Sequence, residues 1–350
     1  MKLIPFLLLA SPLTAQTIYT IPQGYTKVTI AAAPAAGQTS LTAISVSLLN
    51  DSDFSGLASL GSFSAGSQTL TVTGQTWASN EWVNNGPYLA YITATDSDPG
   101  DNIPAPEEAF LISGNTSDSL TLSTSADLTA TTTAGPSRFP SSTTVKIRKA
   151  NTIGSIFGTT GPTVPLQQFS VSSFADNVHV WGGESWITYF FDGTSWQRDS
   201  AEGAPDPAND VIYPEEGIFV LRRGTTPITL TLFGETPAKP QISTIAGPGL
   251  VLTSNRMPIP VTIDSLGFDD LPGWAKFSVS SFADRVYRWN GSDWATYFHN
   301  GTEWELASLP SNTFTVTDPI PANTALFVDR RSTGDETNSG AISELPYTIE

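Results

Sequence analysis

The chain has 350 residues, with 16 Lys plus Arg against 33 Asp plus Glu, a net charge of −17 and no cysteine. A field of that sign repels phosphate backbones and anionic lipid, which excludes nucleic acid and membrane surfaces as partners. The missing cysteines exclude a disulfide framework and a lipid-modified amino terminus, so stability has to come from packing alone.

The first residues, "MKLIPFLLLASPLTAQ", set one lysine before a short apolar run and then small residues around Ala15. This is the pattern of a secretory signal, residues 1–15, with cleavage after Ala15. The run from Leu3 to Ala10 is well short of the roughly 20 residues a spanning helix needs. The reading is of an exported protein, in the periplasm, at the cell surface or outside the cell, with no membrane insertion after cleavage. Charged residues form only 14 % of the chain, against about 25 % in an average globular protein, and Ser, Thr, Gly and Pro fill the gap. That profile fits an all-β secreted protein better than a cytoplasmic enzyme.

Seven short segments then follow, rich in β-branched and aromatic residues and separated by clusters of Gly, Pro, Asn, Asp and Ser: "TKVTIAAA", "LTAISVSLL", "QTLTVTG", "YLAYITAT", "AFLIS", "SLTLSTS" and "TTVKIRK". Each predicts a strand. Helix is expected to be scarce, with "DFSGLASL" near Asp53 and "SVSSFADN" near Phe174 as the modest helix or turn candidates. "DSDPGDN", Asp96 to Asn102, alternates acidic oxygens but lacks the spacing of a calcium loop and reads as a solvated turn. Low-complexity "TATTTAGPSRFPSSTT" reads as a surface loop before the last strand of this region, and "NTIGSIFGTTGPTVP" as the boundary after it. The expected division is an amino-terminal β-rich domain over 16–148 and two tandem antiparallel β modules, sandwich- or barrel-like, over 149–240 and 241–350.

The tandem division rests on a repeat. Phe169–Ser200 aligns without a gap on Phe277–Ser308 with 19 identities in 32 positions, and the same offset of 108 lays "IFVLRR" from Ile218 on "LFVDRR" from Leu326. Turn dipeptides at Gly182, Asp192, Asn290 and Asn300 divide each copy into a three-strand meander, over 177–181, 186–191 and 195–198 in the first, followed by a return strand that carries the Arg pair.

Alternation along the central strand puts Trp186, Thr188 and Phe190 on one face and Ile187, Tyr189 and Phe191 on the other. The first face is retained in the second copy as Trp294, Thr296 and Phe298; the other keeps Tyr297 but carries Ala295 and His299. The retained face reads as core and the variable one as partly exposed. If the aromatic residues bind sugar by stacking, the candidate residues are Tyr189, Tyr297, Trp181, Trp289, Trp196 and Trp304. The two histidines, His179 and His299, align with Tyr287 and Phe191, so each occupies a site where a plain aromatic serves. No histidine metal site, nucleophilic triad or cofactor site is expected. Asp176 and Asp284 read as turn caps, and one Arg of each pair (Arg222/Arg223, Arg330/Arg331) is expected to point inward onto carboxylates or rings.

The pattern "ADxVxxWxGxxWxTYFxxGTxW" followed by "PxxGxFVxRRG" resembles a family of secreted, functionally uncharacterised proteins of Verrucomicrobia-type bacteria. That resemblance covers nearly the whole mature chain, implies a signal peptide, a β-rich amino-terminal region and two such units, and brings no catalytic residues. The expectation is therefore an exported, non-enzymatic β-repeat protein with a structural or surface-interaction role. The alternative is a carbohydrate-binding protein, with extracellular polysaccharide or another cell-surface component as partner.

Overall fold

The computed structural model describes residues 22–95, 104–125, 127–132, 135–199, 206–245, 247–308, 315–331, 340–343 and 345–347. Residues 1–15, read as a signal from the sequence, and Asp96–Asn102 lie outside the described residues. The described chain is all-β with little helix: two helices of at most five residues and two 3-10 turns stand among its strands. One helix, Ile153–Phe157, falls inside the expected boundary segment and is started by a capping box between Thr152 and Ser155.

Each of the seven predicted segments contributes a strand, and an eighth, Ser52–Ser64, replaces the helix candidate near Asp53. Phe54, Leu57 and Leu60 imitate helical spacing, but the chain here alternates outward and inward, leaving Leu57 73 % exposed. This long strand pairs with Ser142–Lys149 along its first half and with Ser67–Thr71 along its second, bending at a register break between Leu60 and Phe63. Its hairpin turns through Ala65 and Gly66, both at positive φ, as a two-residue turn requires. Tyr88–Thr93, Glu107–Asn115 and Ser119–Ser123 continue the sheet, and Glu107–Asn115 pairs on both sides, closing a six-strand barrel. Leu70, Ile92, Leu120, Leu122, Val145 and Ile147 fill it.

Outside the barrel stand two five-stranded sheets of matching order. The first runs Trp196–Arg198, Trp186–Phe191, Asn177–Trp181, Gly217–Arg222 and Ser40–Ser45; the second runs Trp304–Ser308, Trp294–His299, Arg285–Trp289, Ala325–Arg330 and Gly249–Ser254. Each is backed by a two-stranded ribbon, Gln23–Ile30 with Ile228–Glu235 in the first module and Gln241–Thr244 with Gly340–Ser343 in the second. Sheet and ribbon enclose a private core: Val28, Ile30 and Leu230 meet Val178, Tyr189 and Val220 in the first, while Ile245 and Ala341 meet Val286, Tyr297 and Val328 in the second.

The sheets cut across the expected chain-order division. Strands Gln23–Ile30 and Ser40–Ser45, expected in the amino-terminal domain, complete the first module, so the barrel is inserted within that module and not placed ahead of it. Leu89 and Tyr91 on the barrel's outside pack on Leu49 and Ala150, the two points where the chain enters and leaves the insertion. The second module joins the barrel through a single parallel pairing of Gln241 with Glu107.

Candidate functional site

The face expected to be partly exposed is buried, and the face expected to be core is mixed, with Phe190, Thr296 and Phe298 buried and Trp186 exposed. Tyr189 and Tyr297, read as exposed, are 3 % and 0 % accessible and lie in the private cores with Phe191, Trp196 and Trp304. The retained face, read as core, points the other way, and Trp186 on it is 39 % exposed. Two of the six candidate ligand residues are therefore buried tyrosines and two are buried tryptophans. Trp196 donates its indole N–H to the Gly158 carbonyl at 2.7 Å. Burial raises the Tyr189 phenol above its ordinary range, reinforced by Asp210.

The remaining pair, Trp181 and Trp289, is half-buried and engaged across a seam between the two sheets. Trp181 Nε1 donates to the Leu250 carbonyl at 2.9 Å, and Trp289 Nε1 donates to the Leu41 carbonyl at 2.8 Å. Leu41 and Leu250 hold equivalent places in the two outer strands, so each module caps an edge strand of the other. At the centre Phe219 stacks on its counterpart Phe327, with centroids 5.8 Å apart and planes 19° from parallel. Trp186 sets its edge toward Phe327 and Trp294 tilts against Phe219, which completes a reciprocal arrangement.

Beside that stack an aromatic shelf remains open in the second module, and in the first Trp186 is the exposed aromatic. In the second module Leu250, Tyr287, Trp294 and Phe327 line a depression of about 380 Å³. Beyond Tyr287 the same face turns polar: Asp329 accepts from Arg285 Nη2 at 2.7 Å and from the Tyr287 hydroxyl at 3.3 Å. The equivalent positions in the first module are Leu41, His179, Trp186 and Phe219, with Leu221 and Asn177 in place of Asp329 and Arg285. His179 sets its ring edge toward Trp186 and shares a 3.0 Å hydrogen bond with Thr188; burial, then Arg223, lowers its pKa. His299 is buried edge-on to Trp304, as Phe191 is to Trp196.

Behind each sheet lies a carboxylate clamp. Asp176 accepts from the Gln167, Arg223 and Arg222 donors, and Asp284 from Ala275, Arg331 and Arg330 in the same pattern. The first Arg of each pair is buried, and Arg330 lies over the Trp274 ring at 5.5 Å. These groups hold a loop. That loop is "FSVSSFAD", the longest identical run of the two copies, and it exposes Phe169, Val171 and Phe174 in one and Phe277, Val279 and Phe282 in the other. Six of the twelve exposed large apolar residues among those described lie on these two knuckles. An identity run made of Phe, Val and Ser in a predicted turn was the signal in the sequence that this surface matters.

A third polar cluster sits where barrel and modules meet. Glu107 is bridged by Lys146 and Lys239, Glu108 pairs with Arg138, and Arg148 pairs with Glu235. Arg256, buried nearby, donates to the carbonyls of Gln241, Ala341 and Leu266 and to Ser343, and burial lowers its pKa to about 9. Burial pushes Glu215 up to about 8, with Glu216 and Glu108 adding to it, and pushes Glu216 up to about 7. Among the described residues no group of three or more His, Cys, Asp or Glu is arranged to hold a metal ion, and no helix is long and apolar enough to cross a membrane. No protein-family model, curated protein or solved structure matches the chain.

Proposed function

We propose that the protein is an exported, non-enzymatic β scaffold whose role is adhesion to other components of the cell envelope or its surroundings. The observation that carries this reading is the pair of knuckles. Exposed Phe and Val side chains cost about 25 cal/mol per Å² of apolar surface left in water, and a purely structural loop has no reason to keep three of them twice. Each knuckle is rigidly backed by its Asp–Arg clamp, which lowers the entropy lost on contact. The test is co-sedimentation of the purified protein with isolated cell envelopes, beside a Phe174→Ser/Phe282→Ser double variant. Retention of the wild type and release of the variant is the expected result. Equal retention of both, or turnover in a screen of glycosidase, esterase and peptidase substrates, would overturn it.

A second reading, carbohydrate binding, is favoured by the open aromatic shelf beside the seam. It moves the sugar platform from the buried Tyr189 and Tyr297 to the opposite face of the same strands.

A further inference from the structure

The shelf of the second module differs from that of the first in one respect that bears on ligands. Both have an aromatic and aliphatic floor, Trp294, Phe327 and Leu250 matching Trp186, Phe219 and Leu41. Only the second has a carboxylate–guanidinium pair at its rim. There Asp329 and Arg285, each about a quarter exposed, stand with the Tyr287 hydroxyl at the end of the floor, whereas the first module offers Leu221, Asn177 and His179.

An aromatic floor next to a carboxylate, a guanidinium and a phenol is the chemistry that a sugar ring meets with its two kinds of surface. Its C–H face lies on the rings, and its hydroxyls exchange hydrogen bonds with planar polar groups that fix orientation. Asp329, about a quarter exposed, has acceptor capacity beyond the Arg285 and Tyr287 donors. The depression of about 380 Å³ falls in the lower part of the range for small-ligand sites. Charge selects within the class. The chain carries −17, and both cations at the rim, Arg285 at 2.7 Å and Arg331 at 4.0 Å, stand against Asp329, so it is the field of the whole chain that disfavours an anionic glycan.

We propose that the Tyr287–Trp294–Phe327 shelf of the second module, with its Asp329–Arg285 rim, binds a ring of a neutral polysaccharide, and that the first module's shelf does not. This rests on the carbohydrate reading above and adds to it a place, a stoichiometry of one and a charge preference.

The experiment is affinity electrophoresis and tryptophan fluorescence titration of the full chain with a soluble β-glucan, a xylan, a mannan and, as the anionic probe, alginate. The expected result is that one neutral polysaccharide binds and alginate does not. Trp294→Ala should weaken that binding about tenfold and Asp329→Asn several-fold, while His179→Ala, at the first module's rim, changes it less than about twofold. Trp294 also packs on Trp289 and Phe219, so its thermal midpoint is measured alongside; Asp329→Asn is isosteric and keeps the test decisive if Trp294→Ala loosens the seam. Binding left intact by both variants, or weakened equally by His179→Ala, overturns the shelf assignment while leaving the carbohydrate reading in place. Binding of no neutral polysaccharide, or of alginate alone, overturns both and leaves the adhesive knuckles untouched.

Discussion

The two modules solve one packing problem with different residues, and where they differ shows which contacts are shared and which are private. Across the seam, positions meet their own counterparts: Phe219 lies on Phe327, and Trp181 and Trp289 exchange equivalent hydrogen bonds. A change at such a position has to fit the partner module as well as its own, which restrains drift. Toward the ribbons each module packs alone. There Ile187 faces Ala295 in the alignment and Phe191 faces His299, each accommodated by a separate core. Retention therefore covers the Trp and Phe residues of the seam together with a few core positions, Val178/Val286, Tyr189/Tyr297 and Trp196/Trp304, while the drift at Ile187/Ala295 and Phe191/His299 lies in the private cores.

The largest effect should come from the clamps. Asp176→Ala or Asp284→Ala leaves a buried guanidinium unpaired, and removing one partner of a buried pair costs about 3–5 kcal/mol. The second clamp is deeper: side chains of Arg330 and Asp284 are both 0 % exposed, against 9 % for Arg222 and 0 % for Asp176. Asp284→Ala should therefore lower the denaturation midpoint more than Asp176→Ala. Equal losses would show that Arg222 is as dependent on its carboxylate as Arg330.

Next in size is a swap across the seam. A Cβ on Gly217 would stand 2.4 Å from the Cβ of Ala325, its counterpart, and 2.6 Å from the Thr253 carbonyl. There is room for one methyl where the two modules touch. Gly217→Ala should cost about 1–3 kcal/mol by overpacking, and Gly217→Ala with Ala325→Gly should recover the part owed to the Ala325 Cβ, the contact with the Thr253 carbonyl remaining. Urea unfolding of the wild type, both single variants and the double distinguishes a true reciprocal contact, which gives partial recovery, from two independent sites, which give additive losses.

Much of this was legible in the sequence, and what was not had specific causes. The first two meander strands begin and end as predicted and the third starts one residue late, at Trp196, because Gly182, Asp192, Asn290 and Asn300 announce their turns. The clamp residues were legible as retained Asp and Arg. The face assignment failed because both faces of the central strand are apolar, and alternation cannot say which of two apolar layers is solvent-accessible. The nested barrel was invisible for a related reason: Ser40–Ser45 joins a sheet whose other strands begin at Asn177, and no local pattern encodes a partner that distant. Ser52–Ser64 was missed because its Phe and Leu spacing obeys the helical period while its neighbours make it a strand.

Acid response should separate the modules by a smaller margin. Glu215 and Glu216, pushed up to about 8 and about 7 by burial, align with the uncharged Asn323 and Thr324. A carboxyl whose folded pKa exceeds its unfolded value stabilises most below the unfolded value, near 4.5, and this contribution is lost as pH rises through the folded value. Glu215 is faced by Glu216 and Glu108 and by a single cation, Arg256. Thermal midpoints should fall between about pH 5 and pH 9, and Glu215→Gln should flatten the curve, by roughly 1–2 kcal/mol after allowance for partial solvent contact. The difference between the two curves isolates Glu215 from the general repulsion within an acidic chain. A variant curve parallel to the wild type would place the pH response elsewhere.

The smallest effect tests the seam's reciprocity. Trp181→Phe and Trp289→Phe each keep an aromatic ring but delete one indole N–H, leaving the Leu250 or the Leu41 carbonyl without that donor. Each should cost about 0.5–1.5 kcal/mol. Because the two bonds span the same seam, opening one side loosens the other, and the double variant should lose less than the sum of the singles. Additive losses would mean that the two caps act as separate edge protections. A loss confined to Trp289→Phe would mean that the strand Ser40–Ser45, which reaches its sheet across the inserted barrel, is the one that needs its cap.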